Sequence, residues 1–468
     1  MSGSVDKQWT FVRDWVRPNQ VRLNADPRFA GRGVTVAFVD AGFHPHADLL
    51  LPTNRIKAYY DATTEQEPLG ERKPECWNWH GTMTSVIACG SGHLSGGIYS
   101  GLARQSEVVL VKVAKNGSIR RRNVALGMKW LLENRERLDL RVINISLGLG
   151  QHDRESSRTL VDYWVKKAVD AGVVVVVAAG NDGGPVESPA KAAEALTVGG
   201  IFDHVNQLYH FNHGTTPDGV HKPDILAPAV LVASPILWGT PQQKRAEALV
   251  RLLNDPSLIK ELWRDAQLPL VSLNYNQEEL ISELQGQIAG QKVVSPYYEH
   301  ADGTSVAAPL VTSVVAQMLE ADPGLTPAQV RAILVSTASR LDRVSHYRQG
   351  HGVMRARRAL EVALDPEHPV RQVSSFGPRQ ENGKLHFLFH HTQAQGVSLA
   401  GDFNNWDPKR HSLEKSSGGV WQTELASPPP GRYRYKFLVD GQRWCDDPWN
   451  AHKEPDAWGG LNSIVLVS

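Results

Sequence analysis

Short valine-rich runs alternate with amphipathic stretches from residue 31 onward, and this alternation constrains the fold more than any other feature of the sequence. Each run and the amphipathic stretch after it form a pair, and the pairs are 34–39 with 81–88, 108–113 with 124–132, 142–147 with 160–169, and 173–179 with 196–201. Continuous apolar strands separated by helices are typical of a parallel sheet covered on both faces, because neither face meets water. We therefore expect an α/β fold with functional side chains at the carboxyl ends of the strands.

Three residues that can act together in hydrolysis stand at the ends of such segments. Asp40 directly follows the run 34–39, His80 precedes a helical stretch, and Ser305 precedes the apolar helical stretch 306–319. At the start of a helix, Ser305 would lie beside N–H groups that have no partner within the helix. A histidine can remove a serine proton when a buried carboxylate orients its other nitrogen. Singly, such residues are more often caps or turn residues, but together they predict a nucleophile, a base and an orienting acid.

Composition excludes several classes of function. The formal net charge of +1 argues against nucleic-acid and membrane partners, and the longest apolar run, 173–179, is too short to span a bilayer. The three cysteines, Cys76, Cys89 and Cys445, are widely spaced and favour a reducing compartment over a disulfide framework. The first ten residues contain no apolar signal-peptide core. We therefore expect a cytoplasmic protein.

Four short blocks of the sequence resemble the subtilisin-like serine protease family, and they are 39–42, 80–82, 178–181 and 303–309. The resemblance extends over about residues 31–364. It implies that Asn181 donates to the oxyanion together with the Ser305 backbone N–H. It also implies that an extended substrate pairs with two backbone segments, made of Ser146, Leu147 and Gly148 and of Ala178, Ala179 and Gly180. Residues 183–187, which follow Asn181, predict no clear specificity pocket.

The same resemblance raises two further questions. Asp48 resembles a calcium ligand of the family, but the loop 90–97 is rich in Gly and Ser and carries few carboxylates. We therefore expect no cofactor and no metal, and leave calcium open. Residues 240–291 form an insertion of helical character before Ser305. This insertion is either a surface elaboration or an element that shapes or covers the substrate cleft.

Beyond residue 364 the pattern changes. Residues 367–383 resemble a linker, and 384–468 alternate with period two, which predicts a small all-β, immunoglobulin-like sandwich. The blocks 401–407, 435–441 and 461–464 resemble the glycogen-binding domain of the AMP-activated kinase β subunit. This resemblance implies that two Trp side chains stack on sugar faces and that Lys and Asn side chains bind hydroxyl groups, at Trp406, Trp444, Lys436 and Asn462. Alternatively, these aromatic side chains pack the sandwich, or the domain docks on the protease or on a regulatory protein.

The sequence thus predicts an intracellular serine endopeptidase that acts on protein or peptide substrates. Its predicted segments are an N-terminal extension (1–30), a subtilisin-like peptidase domain (31–366), a linker (367–383) and a β-sandwich (384–468). The sandwich would tether or regulate the enzyme through an α-glucan or a regulatory protein. The alternative is a catalytically silent scaffold that binds peptides or glucans.

Overall fold

The computed structural model describes residues 16–67, 78–149, 159–215, 221–372, 377–391, 394–415, 420–447, 450 and 452–467. Cys76 and the first half of the predicted N-terminal extension, residues 1–15, lie outside the described residues.

The α-helices of the described residues are α1 (Asn19–Arg22), α2 (Ala47–Leu50), α3 (Trp79–Cys89), α4 (Arg121–Glu133), α5 (Arg135–Leu138), α6 (Leu160–Asp170), α7 (Pro241–Asn254), α8 (Ile259–Leu262), α9 (Gln277–Gly290), α10 (Thr304–Ala321), α11 (Pro327–Thr337), α12 (His346–Gln349) and α13 (Ala356–Ala363). Short 3₁₀ helices are His93–Ser95, Pro256–Leu258, Leu270–Asn274, Pro369–Gln372 and Asp402–Asn404. The strands are β1 (Thr35–Asp40), β2 (Ile56–Asp61), β3 (Glu107–Lys112), β4 (Ala114–Lys115), β5 (Ser118–Ile119), β6 (Leu140–Ile145), β7 (Val174–Ala178), β8 (Leu196–Phe202), β9 (Gln207–Leu208), β10 (Gly214–Thr215), β11 (His221–Lys222), β12 (Ile225–Pro228), β13 (Val232–Pro235), β14 (Val293–Ser295), β15 (Tyr298–Ala301), β16 (Arg379–Glu381), β17 (Lys384–His390), β18 (Val397–Gly401), β19 (Glu414–Lys415), β20 (Val420–Ala426), β21 (Gly431–Val439), β22 (Arg443–Cys445), β23 (Lys453–Pro455) and β24 (Leu461–Val467).

A parallel sheet forms the centre of the first domain. Its strand order is β12-β8-β7-β6-β1-β3-β2, with β9 added antiparallel to β8. All neighbours along the main path run parallel. The predicted α/β class is therefore confirmed. Because β7, β6 and β1 are adjacent, their carboxyl ends share one edge of the sheet.

Helices cover both faces of this sheet, and each face has its own apolar core. Helices α3 and α10 pack on one face, and α4 and α6 pack on the other. By length and composition α10 is apolar enough to cross a membrane, but 83% of it is buried inside the protein, so it serves here as the central core helix. Pro309 lies inside α10 without ending it. Since proline has no N–H, the Ser305 carbonyl lacks its usual helical donor.

One predicted segment has the wrong structure. Residues 196–201 were expected to be amphipathic and helical, but they form the buried strand β8. Two glycines in this strand allow close packing, since a Cβ on Gly199 would lie 2.8 Å from a Leu226 methyl carbon and one on Gly200 would lie 2.6 Å from the Ala229 Cβ. Strand formation is also favoured by the β-branched residues around them. The edge strand β2 was not predicted, because half of its side chains are only partly buried.

The insertion folds around a small core of its own. Helices α7 and α9 bury an apolar stripe with Ile236 and Val293, composed of Ala246, Leu249, Leu252, Leu280, Leu284 and Ile288. Thr240 and Asn276 cap these two helices, and the helical character predicted for the insertion is present. The antiparallel sheet β13-β15-β14 connects the insertion to the body of the domain.

The C-terminal domain consists of two antiparallel sheets, as predicted. Their orders are β16-β17-β20-β19 and β18-β21-β24-β23, with β22 paired to β21. Strand β16 lies within the range 367–383 that was predicted to be a linker. Asn382 and Gly383, both at positive φ (51° and 73°), join β16 to β17 as a two-residue hairpin turn. Val370, also in that range, is fully buried in the core of the first domain.

The two domains are in contact. Leu388 of β17 packs against the core that includes α10. A buried ion pair of the sandwich, Lys453 with Asp446, faces His351 of the first domain. Burial, together with the positive charge of Lys453, holds the pKa of His351 well below its usual value. The sandwich is therefore attached through packed side chains as well as through the chain.

Candidate functional site

Asp40 and His80 are hydrogen-bonded at the carboxyl edge of the central sheet. Asp40 is the last residue of β1 and its side chain is 1% exposed, and its Oδ1 lies 2.7 Å from His80 Nδ1. Gly81 allows this approach, since a Cβ there would lie 3.0 Å from the Asp40 Cβ and 2.3 Å from the Gly42 carbonyl oxygen. Burial alone would lower the pKa of His80, but the charge and hydrogen bond of Asp40 outweigh burial and raise it. The pair can therefore accept a proton at the outer imidazole nitrogen.

Ser305 is the second residue of α10. Gly303 precedes the helix at φ 135°, a conformation that L side chains rarely adopt. The Ser305 hydroxyl donates a hydrogen bond to the Ser146 carbonyl oxygen at 3.1 Å. Its backbone N–H belongs to the first helical turn, so it has no partner within the helix. Ser305 thus combines a partly exposed hydroxyl with an adjacent N–H donor.

Asn181 is held in a defined orientation by the residue before Ser305. Its Oδ1 accepts hydrogen bonds from the Thr304 backbone N–H at 2.9 Å and from the Thr304 hydroxyl at 3.0 Å. The Thr304 hydroxyl in turn accepts from the Gly180 N–H at 3.1 Å. Because a backbone N–H can only donate, the amide oxygen of Asn181 must face Thr304, which leaves Nδ2 as a donor.

A cavity of ≈ 210 Å³ begins beside Ser305 and Asn181. All six residues of the two segments expected to pair with substrate line it, namely Ser146, Leu147, Gly148, Ala178, Ala179 and Gly180. These segments directly follow or end strands β6 and β7, so the sheet order brings them together.

The structure adds residues to this site that the sequence did not assign. Glu187 and Asn212 also line the cavity, although 183–187 predicted no pocket. Asn212 is buried, and it accepts from the Asp182 N–H at 2.7 Å and donates to the Pro185 carbonyl at 3.1 Å. It therefore holds the loop that follows Asn181. No local pattern in the sequence marks Asn212, because its partners lie about thirty residues earlier.

The sheet β13-β15-β14, to which the insertion is joined, contacts the site from the histidine side. Trp79, the neighbour of His80, donates from Nε1 to the Pro235 carbonyl oxygen at 3.1 Å. Burial raises the pKa of the nearby Glu299 carboxyl to about 7, against the smaller effects of Lys292, Trp79 and Gln242. Among the described residues that line the cavity, none comes from 240–291. The insertion therefore supports the segment before Ser305 and does not cover this cavity.

The residues around Asp48 do not fit a calcium site. Its Oδ2 accepts from the Tyr298 hydroxyl at 2.5 Å and its Oδ1 from the Leu94 N–H at 3.2 Å. The Arg55 guanidinium binds the Asp48 carbonyl at 2.6 Å and the Cys89 carbonyl at 2.6 Å. Calcium binds several oxygen ligands at once. Here the positively charged Arg55 side chain already binds the Asp48 and Cys89 carbonyl oxygens. Across the described ranges, no group of three or more His, Cys, Asp or Glu side chains is arranged to hold a metal ion.

A second cavity, of ≈ 790 Å³, lies in the C-terminal domain. The four residues expected to contact sugar all line it, and they are Trp406, Lys436, Trp444 and Asn462. The Trp406 and Trp444 rings are 6.3 Å apart with an interplanar angle of 62°. Lys436 forms an ion pair with Asp456, which the sequence did not predict. Trp458, at the same cavity, is 93% exposed. Aromatic faces and polar groups thus converge on one open surface.

Comparison with known proteins gives matches for both domains. The model described as the subtilase family matches residues 31–352. The model described as carbohydrate-binding module 48 (isoamylase N-terminal domain) matches residues 375–455.

Several individual relatives are proteases. Serine protease AprX of Bacillus subtilis (strain 168) is 30% identical over 321 residues, which covers 65% of this chain and 61% of that protein. Subtilisin-like protease PopC of Myxococcus xanthus (strain DK1622) is 24% identical over 360 residues, covering 73% of this chain and 63% of that protein. The chain therefore spans less than two thirds of either relative. A solved structure of a protease from Pseudoalteromonas arctica superposes with a TM-score of 0.49 at 22% identity, covering 74% of this chain and 94% of that chain.

Proposed function

The chain belongs to the subtilase family, and from this premise we propose that it is a serine endopeptidase that hydrolyses peptide bonds through an acyl-enzyme. The observation that carries the proposal is the hydrogen bond between buried Asp40 and His80, at the sheet edge where α10 presents Ser305. Asp40 would orient His80, His80 would act as general base and then as acid, and Ser305 would be the nucleophile.

The proposed reaction begins when the Ser305 hydroxyl leaves the Ser146 carbonyl and turns to His80. The imidazole Nε2 accepts the hydroxyl proton while Oγ forms a bond to the peptide carbonyl carbon. The resulting oxyanion accepts hydrogen bonds from Asn181 Nδ2 and from the Ser305 N–H. His80 then gives its proton to the leaving amine as the C–N bond of the peptide breaks, which leaves the acyl group on Oγ. Water repeats the sequence on this ester, releases the carboxylic acid and restores the Ser305 hydroxyl.

A fluorophosphonate probe tests this proposal directly, because it reacts only with an activated serine. Wild-type protein should be labelled and should hydrolyse an unfolded protein substrate, and both signals should vanish in Ser305→Ala. The exposed Ser345 provides a matched control, and Ser345→Ala should behave as wild type. A folded wild-type protein that binds peptides but is neither labelled nor active would favour the catalytically silent scaffold.

For the C-terminal domain we propose binding of an α-glucan. The proposal is supported by the match to carbohydrate-binding module 48 and by the angled pair Trp406 and Trp444 on one open surface. Aromatic faces of this kind stack on the apolar faces of sugar rings, while Lys436 and Asn462 supply polar contacts.

Affinity electrophoresis in gels containing glycogen tests the glucan proposal. Glycogen should retard the wild-type protein, and Trp406→Ala and Trp444→Ala should each migrate faster than wild type in that gel. Leu466 is an exposed apolar residue of the same domain outside the cavity, so Leu466→Ala should be retarded like wild type. Equal mobility of wild type and both Trp variants would contradict glucan binding.

We also propose that the protein acts inside the cell. Cys89 and Cys445 are free thiols, as expected for a reducing compartment. Fractionation of the native host followed by immunoblotting tests the location, and recovery in the culture medium without cell lysis would contradict it.

A further inference from the structure

The cavity beside Ser305 is placed to receive one particular side chain of a substrate in the proposed reaction. If a peptide carbonyl carbon lies at Ser305 Oγ and its oxygen at Asn181, the side chain of that same residue is adjacent to this cavity. The walls on either side are backbone and small or apolar side chains of residues 146–148 and 178–180. The chemical character of the cavity is therefore set by the few charged residues that line it.

Glu187 places a carboxylate across this cavity. A Cβ built on Gly148 would meet Glu187 Oε2 at 4.0 Å and nothing closer. Because Gly148 has no side chain, the wall formed by residues 146–148 does not cover the Glu187 carboxylate. Asp182, which follows Asn181, adds a second carboxylate to the lining, and no basic residue is among the described residues of the lining.

The Glu187 carboxylate has no cationic partner among the described residues. The neighbours Val186 and Ser188 are buried, and the Ser188 hydroxyl donates to Asp162. The nearest lysine along the chain, Lys191, is directed to the same Asp162, with its Nζ 3.8 Å from Oδ2. The Ser188 hydroxyl and the Lys191 ammonium group are thus both directed to Asp162.

We propose that Glu187 makes this chain a protease that cleaves after basic residues, with the Lys or Arg before the scissile bond paired to its carboxylate. This inference rests on the proposed endopeptidase function. A half-buried carboxylate without a partner attracts a cation and repels an anion, and an Arg guanidinium can bind it with two parallel hydrogen bonds. Hydrogen bonds to charged groups correspond to about a 10- to 100-fold preference over a neutral side chain of similar length.

Chromogenic tetrapeptides that differ only in the residue before the scissile bond test this inference. Wild-type kcat/KM should be about 10- to 100-fold higher for Lys or Arg than for Met, and lowest for Glu. In Glu187→Gln the ratio of Lys to Met should fall close to one, and Glu187→Lys should favour Glu over Lys. Glu194 is a carboxylate paired with Lys166 at 3.9 Å outside the cavity, so Glu194→Gln should keep the wild-type ratio.

Fluorophosphonate labelling of each variant counts its active sites, so a misfolded variant is recognised. The rates of each variant are divided by its labelled fraction before Lys and Met substrates are compared. A labelled wild type with equal rates for Lys and Met would overturn this inference and leave the endopeptidase proposal intact. A Lys preference that persists in labelled Glu187→Gln would overturn the assignment to Glu187. If wild type is neither labelled nor active, the proposed function fails and this inference fails with it.

Discussion

The side-chain oxygen of Asn181 accepts a hydrogen bond from the backbone N–H of Thr304 at 2.9 Å. This bond decides which end of the amide is left to donate, and it connects the loop after β7 to the helix that carries Ser305. The proposed oxyanion donor and the proposed nucleophile are therefore positioned by one element. A donor fixed before the reaction stabilises developing charge without the cost of reorientation.

Replacement of Asn181 should therefore affect the chemical step. Asn181→Ala should lower kcat by about 10²–10³ with little change in KM, which is the loss found for the matching donor of subtilisin and is expected here by family membership. Steady-state kinetics measure both constants. Thr304→Ser keeps the hydroxyl and the N–H that bind Asn181 and should retain most of the activity. A raised KM with unchanged kcat in Asn181→Ala would contradict this role.

The pKa of His80 should control the acid side of the pH–rate profile. The Asp40 charge raises this pKa above its usual value of 6.5, and only the neutral imidazole can accept the Ser305 proton. The kcat/KM value should therefore rise with pH through a midpoint above about 6.5. Asp40→Asn removes the charge and should lower the midpoint as well as the rate.

Titration of the His80 imidazole by NMR in Ser305→Ala measures the same pKa without turnover. Ser305→Ala/Asp40→Asn is the matched comparison, and its midpoint should lie at lower pH. An unchanged His80 midpoint in the double variant would show that Asp40 does not govern this histidine.

Glu299 should make the stability of the protein fall as pH rises. Its folded-state pKa is raised from 4.5 to about 7, so the folded state binds the proton more tightly than the unfolded state does. Stability is therefore lost between about pH 4.5 and 7 and is constant above that range. The loss should amount to at most about 3 kcal/mol.

Glu299→Gln keeps an acceptor for the Gln242 amide, which donates to Glu299 Oε2 at 2.9 Å, and it removes the titration. Its free energy of unfolding should exceed that of the parent at pH 8 and approach it at pH 5. Urea denaturation in the Ser305→Ala background avoids self-digestion. A parallel pH dependence of both proteins would exclude Glu299 as the cause.

Chelation of divalent metals should leave the melting temperature unchanged, because protein donors bind both carboxylate oxygens of Asp48. Arg55→Met should lower the melting temperature, since the Arg55 guanidinium binds the Ser106 carbonyl at 3.2 Å in addition to the Asp48 and Cys89 carbonyls. Each lost hydrogen bond to this charged group costs about 1.5–3 kcal/mol. Differential scanning fluorimetry with and without EDTA measures both effects. A large decrease in the wild-type melting temperature with EDTA would indicate a bound metal.

Sequence reasoning is most informative where short blocks stand at strand and helix ends. Asp40, His80 and Ser305 follow or begin elements whose apolar pattern is strong, so the predicted parallel sheet places them at one edge. The structure shows the hydrogen bond between Asp40 and His80, and the pairing of His80 with Ser305 stays a prediction. Sequence reasoning failed where two elements far apart in sequence define the environment. Glu187 lies in a Gly- and Pro-containing loop whose path the pattern does not specify, and only the structure shows that its carboxylate faces Gly148.

The error at β8 has a related cause. A buried segment that contains Gly199 and Gly200 carries no clear period, so its tertiary neighbours decide between helix and strand. The surroundings of Trp444 also depend on residues distant in the sequence. Strand β22 pairs Trp444 with Leu438, which places the indole beside Trp406.

Pro309 has a mechanical consequence for the nucleophile. Without the usual helical donor to its carbonyl, the peptide unit of Ser305 has one backbone hydrogen bond fewer than an unbroken helix would give it, while the residues that follow in α10 are buried in the core. In the proposed reaction, the first turn would therefore adjust by small displacements as a covalent bond forms and breaks at Oγ. The packed interior would not have to move with it.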